Sequence, residues 1–268
     1  MSSIIEGYNY DIFISYRQKD NKYDGWVTDF VSNLVNELES VFKEEISLYF
    51  DTNPHDGLLE THDVDATLKE KLKCLVFIPV ISRTYCDQKS FAWEHEFKAF
   101  IRFASADQFG LKVNLPNGNV ASRILPIKIH DIGIEDISLF ETETGGVLRG
   151  VDFIYKSAGV NRPLRNNEDH PGDNLNRTYY RDQINKVANA VEEIISGLRS
   201  VTSGQKLIAS SIEVTDWKGV NQRTGRLNIF KDKYKLKRTL LPILAAFCLF
   251  TFFMIYREFN NDKTEKAI

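Results

Sequence analysis

The chain has 268 residues, 43% apolar and 26% charged, with a net charge of −3. That length suits one large or two small globular domains, and the near-neutral balance gives no electrostatic reason to bind nucleic acid. Three cysteines, Cys74, Cys86 and Cys248, at no metal-ligand spacing argue against a disulfide scaffold or a zinc site, and Cys74 and Cys248, in apolar runs, read as small buried hydrophobes.

Met1 to Tyr8 lacks the basic region and apolar core of a signal peptide. The first element is the run Asp11-Ile12-Phe13-Ile14-Ser15-Tyr16, apolar on both faces and ending in hydroxyls and the cation Arg17. Apolar residues on both faces predict a strand covered on both sides, as in a parallel sheet. Polar groups at its carboxyl end stand where open α/β sheets bind ligands. Asp24 to Glu44 carries a helical stripe through Trp26, Phe30, Leu34 and Leu38. Ile46 to Phe50 reads as a short strand, followed by the polar loop Asp51 to Asp63. Val64, Leu68 and Leu72 mark a short helix, Leu75 to Val80 a strongly apolar strand, and Ser90 to Ala104 a helix with Phe97, Phe100 and Ile101 inward. Asn117-Gly118 signals a hairpin inside the insertion Gly110 to Ser122. Ile124 to Ile129 is another strand, whose Pro126 suits a strand end or edge. Val151 to Ile154 is a weaker one. Asn161 to Asn176 reads as a long loop. Tyr180 to Leu198 is a helix with Ile184, Val187, Val191, Ile194 and Leu198 on one face. Strands separated by helices of this length imply right-handed crossovers and a parallel sheet.

Beyond residue 199 the pattern stops. Residues 200–238 read as a linker with a basic end (Lys231, Lys233, Lys235, Lys237 and Arg238 against Asp232). Thr239 to Tyr256 is 18 residues without a charge. As a helix it spans about 27 Å, close to the ~30 Å hydrocarbon core, and predicts a single transmembrane helix with a short tail, 257–268. The basic flank places the N-terminal side in the cytoplasm, at the plasma or inner membrane.

Four stretches together resemble the Toll/interleukin-1 receptor (TIR) domain family over residues 8–199. They are the opening strand with its Phe13-Ile14-Ser15-Tyr16-Arg17 end and Leu48-Tyr49-Phe50-Asp51 with the loop containing Asp56-Gly57. The others are the strand Cys74 to Val80 with its exit Ile81-Ser82-Arg83-Thr84-Tyr85, and Trp93-Glu94-His95-Glu96-Phe97. The resemblance, to bacterial members, implies a flavodoxin-like α/β fold with a five-stranded parallel sheet in residues 1–199. It also implies cleavage of NAD+ to nicotinamide and ADP-ribose or its cyclic form, self-assembly through TIR–TIR contacts, and a role in antiviral defence. NAD+ is then the substrate, and neither a cofactor nor a metal is expected. The family's catalytic glutamate lies four residues after a tryptophan. Here Glu96 fits best, three residues after Trp93, and Glu94 competes.

A carboxylate beside the ribose stabilises the positive charge that develops as the glycosidic bond breaks, the role expected of Glu96. Its plain alternative is a solvated glutamate in a helix's first turn. The expected ligand-binding set is Tyr16, Arg17, Asp51, Arg83 and Trp93. Arg17 and Arg83 both follow strands, and either can grip a pyrophosphate through its planar fork; a local ion pair is the alternative for Arg17. Tyr16 can stack on a base or sit in the core, and Asp51 can cap its loop. His55, His62 and His95 form no metal constellation with a cysteine, and no Gly-rich phosphate loop occurs, which argues against a dehydrogenase or kinase. A non-enzymatic adaptor recruiting other TIR domains at the membrane is the rival function, and bilayer damage by clustered anchors a third.

Overall fold

The computed structural model describes residues 2–51, 64–168 and 178–214. In chain order the elements are β1 (Tyr10–Ser15), α1 (Gln18–Lys22), α2 (Trp26–Val41), β2 (Leu48–Phe50), α3 (Val64–Lys71) and β3 (Cys74–Ile81). A π-helical segment, Ala92–Phe97, runs into α4 (Lys98–Ala106). Then follow β4 (Lys112–Asn114), β5 (Val120–Ser122), β6 (Ile127–Lys128), α5 (Ile134–Thr144), β7 (Val151–Asp152) and α6 (Thr178–Val214).

Five strands form one sheet in the order β2-β1-β3-β6-β7, and every pairing is parallel. With the β4–β5 hairpin set aside, that is the 2-1-3-4-5 order of flavodoxin-like folds. The direction of winding reverses between β1 and β3, and such a switch point opens a crevice at the carboxyl ends of the strands. The hairpin pairs antiparallel about Asn117-Gly118, with Gly118 at φ +86°, a conformation that costs glycine least.

Side chains alternate across β1 and β3, so one strand feeds two cores. Ile12, Ile14, Val76, Ile78 and Val80 join α2 and α6 on one face. Phe13, Phe77 and Ile81 join Trp93, Phe97 and Phe100 on the other. On the first face Trp26 stacks on Phe30 at 5.4 Å, and its Nε1 donates to Leu164 O at 2.7 Å. On the second, Phe77 stacks between Phe13 and Phe100 at 5.4 and 4.8 Å. Cys74 and Cys86 are buried free thiols.

Two buried polar centres tie the layers together. Asp11 accepts from Ser3 Oγ, Ile4 N, Ser47 N and Ser47 Oγ at 2.6–2.9 Å, fastening the N-terminal arm and the entrance to β2 onto β1. Arg123, fully buried, donates to Asp107 at 2.6 Å and to the carbonyls of Cys74, Leu75 and Gly110 at 2.8–3.0 Å.

Pro126 directly precedes β6, the strand-end position read from the sequence, so no ladder bond is lost although β6 lies inside the sheet between β3 and β7. Other elements depart from the sequence reading. Helix α5 gave no sequence signal, because among its residues only Phe140 is buried and no apolar stripe forms. Helix α6 continues past Leu198 to Val214, through residues read as linker. Among the described residues no helix is long and apolar enough to cross a membrane, and the run Thr239–Tyr256 lies outside them.

Candidate active site

A cleft of about 730 Å³ opens at the switch point. The carboxyl end of β1 supplies Tyr16 and Arg17, the end of β2 supplies Tyr49 and Asp51, α3 supplies Leu68 and Lys71, and the segment after β3 supplies Lys89 to Ala92 and Glu96. One wall is apolar. Arg17, Lys19, Lys71 and Lys89 bring positive charge to the same space, and Asp51 and Glu96 are its carboxylates. A basic, partly apolar cleft of this size suits a phosphate-bearing ligand with flat rings.

Glu96 is the chemically distinctive group. Ser15, the last residue of β1, donates from Oγ to Glu96 Oε2 at 2.6 Å. Burial pushes the Glu96 carboxyl up to about 7; the Ser15 hydrogen bond acts against this, and the charge of Asp51 adds to it. A carboxyl poised near neutrality in a cleft marks a functional-site candidate. Two residues away, Glu94 faces solvent. It pairs with Lys98 at 3.0 Å and lies 3.9 Å from Arg102, and its hydrogen bond with Lys98 holds its carboxyl below the usual range.

The backbone between them explains the separation. Ala92–Phe97 is π-helical, with Lys98 N donating to Trp93 O five residues back. This wider turn changes which side chains share a face, so residue spacing counted on an ordinary α-helix does not transfer. Such turns recur at functional sites.

The expected ligand set divides. Tyr16, Arg17 and Asp51 meet Glu96 at the cleft. The Tyr16 ring is buried and tilted against Phe50, its hydroxyl donates to Asp51 O, and burial raises its phenol to about 12. Arg17 lines the cleft and also pairs with Asp87 at 3.3 Å, so the ligand-facing and ion-pair readings hold together. Arg83 is exposed, is not part of the cleft lining, and acts instead on His130, whose basicity its charge lowers after burial. Trp93 is 1% exposed and packs against Tyr85, Phe97 and Phe140; it supports the wall from behind. His95 is exposed and stacked on Phe91, and His55 and His62 lie outside the described residues.

Sequence reading missed Ser15 and Tyr85 as site residues. The Tyr85 hydroxyl lies 2.8 Å from Ser15 Oγ, across 70 residues of chain. The only available signal was the polar end of an otherwise apolar strand.

No family model matches this chain, and no curated protein matches it. Among solved structures, similarity extends to one described as the activated Roq1 resistosome directly recognizing the pathogen effector XopQ (TIR domains). The match covers 72% of this chain and 99% of that one, at 15% identity and a TM-score of 0.32. At that distance the likeness assigns neither activity nor residues.

Proposed function

We propose that this chain is a TIR-type NAD+ nucleosidase that breaks the nicotinamide–ribose bond, with Glu96 as its catalytic carboxylate. The observation that carries the reading is Glu96 itself. It is a carboxyl raised to about 7, set in a cation-lined cleft at the carboxyl edge of a five-stranded parallel sheet. The residue motifs that resemble TIR domains, and the 2-1-3-4-5 strand order, support the same reading.

The chemistry suits the site. Nicotinamide leaves as a neutral ring, so the reaction needs little acid catalysis. Positive charge grows on the ribose, and an ionised carboxylate fixed beside it stabilises that charge. Arg17 and the cleft lysines complement the pyrophosphate. Water or a ring nitrogen of the adenine then completes hydrolysis or cyclisation.

Self-association through TIR–TIR contacts and anchoring by Thr239–Tyr256, with the catalytic domain in the cytoplasm, belong to the same proposal. Confinement to a membrane raises the local concentration that assembly needs. Loss of cellular NAD+ would then serve antiviral defence. The test is cellular NAD+ after induced expression of wild type and Glu96→Gln at matched protein levels, repeated with the purified full chain under forced clustering. A fall in wild type alone supports the reading. Equal falls in both remove Glu96 from the mechanism, and no turnover even when clustered favours the adaptor.

A further inference from the structure

We propose that Tyr85 and Ser15 form a closed two-hydroxyl chain that aims the Glu96 carboxylate into the cleft, which makes Ser15 the positioning residue of this site. The inference depends on the proposed reaction only for what Glu96 does next; the chain itself is a matter of geometry.

Ser15 Oγ lies 2.6 Å from Glu96 Oε2 and 2.8 Å from the Tyr85 hydroxyl, so one small side chain bridges two groups from different elements. Ser15 and Tyr85 are both 0% exposed, and neither lines the cleft. Solvent therefore meets this chain only through Glu96. The Tyr85 ring is held edge-on by Trp93 and Phe97 at 6.2 Å each. Those two residues belong to the same π-helical segment that carries Glu96. Tyrosine and carboxylate are thus fixed to one rigid unit, and Ser15 ties that unit to the end of β1.

The direction of the chain follows from its chemistry. Burial pushes the Tyr85 phenol well above its ordinary range, so it keeps its proton at any working pH. When Glu96 is ionised, Tyr85 O–H donates to Ser15 and Ser15 O–H donates to the carboxylate. When Glu96 holds a proton it can donate to Ser15, but one of the two hydroxyl protons then has no acceptor within the chain, so the fully paired arrangement is that of the ionised carboxylate. Asp51 also acts on Glu96 and favours the protonated form, and Tyr16, Arg17, Lys19, Lys71 and Lys89 line the same cleft. None of these is removed when Ser15 or Tyr85 is changed.

The experiment is a ¹³C NMR titration of the Glu96 carboxyl in the full chain in detergent micelles, assigned by its loss in Glu96→Gln. Wild type is compared with Ser15→Ala, Ser15→Thr and Tyr85→Phe, and kcat/KM for NAD+ cleavage is followed across the same pH range. Loss of a hydrogen bond to a charged group should move the Glu96 midpoint of Ser15→Ala upward by about one to two pH units. Tyr85→Phe should move it less in the same direction, and Ser15→Thr should restore it. An unmoved midpoint in folded Ser15→Ala overturns the proposal. If Ser15→Ala does not fold, Tyr85→Phe decides, its shift supporting the chain and its wild-type midpoint overturning it. Shifted midpoints without NAD+ cleavage in wild type would uphold the chain and sink the reaction, so the two failures are separable.

Discussion

Arg123–Asp107 and Ser15–Glu96 are both charged centres packed against the central strands, yet they are built to opposite ends. Arg123 is 0% exposed and meets one carboxylate and three carbonyls, while Asp107 also accepts from Tyr8 and from the amides of Phe109 and Gly110. Every strong partner is supplied by the protein, and the result is a brace between β3 and the segment before the hairpin. Glu96 faces a cleft and, among the described residues, receives one hydroxyl bond beside a second carboxylate, Asp51. Its charge is left partly uncompensated. A buried charge whose partners are all present supports structure, whereas one left short of them is held ready for a ligand that brings positive charge.

The largest expected effect tests the brace. Arg123→Met should leave Asp107 enclosed without its cation and destabilise the fold by about 3–5 kcal/mol, read by urea unfolding of the full chain. A loss below about 1 kcal/mol would mean that water reaches Asp107 and the contrast is weaker than drawn. Next comes Glu96→Gln, expected to lower kcat for NAD+ cleavage about 10²–10³-fold with no loss of fold, the scale of removing one preorganised electrostatic group.

The contrast also predicts opposite structural consequences. The Glu96 carboxyl lies at about 7 in the folded chain against an ordinary value of 4.5. Between those values the folded protein binds more protons than the unfolded one, so stability falls as pH rises through that window. Glu96→Gln lacks this loss. Its melting temperature should therefore gain on wild type from pH 5 to pH 8, and a constant difference would show that Glu96 is not raised. Activity should move the other way, with kcat/KM rising as the free enzyme loses a proton near pH 7. The smallest effect is expected at Glu94→Gln, an exposed pair with Lys98, which should leave the urea midpoint and NAD+ cleavage close to wild type. Lost cleavage in that variant would reassign the catalytic carboxylate.

Much of the architecture is legible in the sequence. Ile12-Phe13-Ile14 and Leu75 to Val80 are apolar on both faces, and only a sheet covered on both sides accommodates that pattern. Asn117-Gly118 marked the hairpin, and the stripe from Ile184 to Leu198 marked the core-facing part of α6. These signals are local, because side-chain periodicity is written into neighbouring residues. Helix α5 escaped because one buried Phe140 makes no period.

The site was legible only in part. The end of β1 pointed to Tyr16 and Arg17, and the segment after β3 to Glu96, but spacing alone left Glu94 in contention and gave Arg83 and Trp93 the same standing as Asp51. Tertiary structure separated them. The π-helical segment turns Glu96 into the cleft and Glu94 out of it, carries Trp93 behind the wall, and the exit of β3 leaves Arg83 on the surface. It also joins Ser15 to Tyr85 and to Glu96 across 70 and 81 residues. Periodicity determines which face of an element is buried; which buried groups meet depends on helix register and strand order, and those are fixed only when the whole sheet closes.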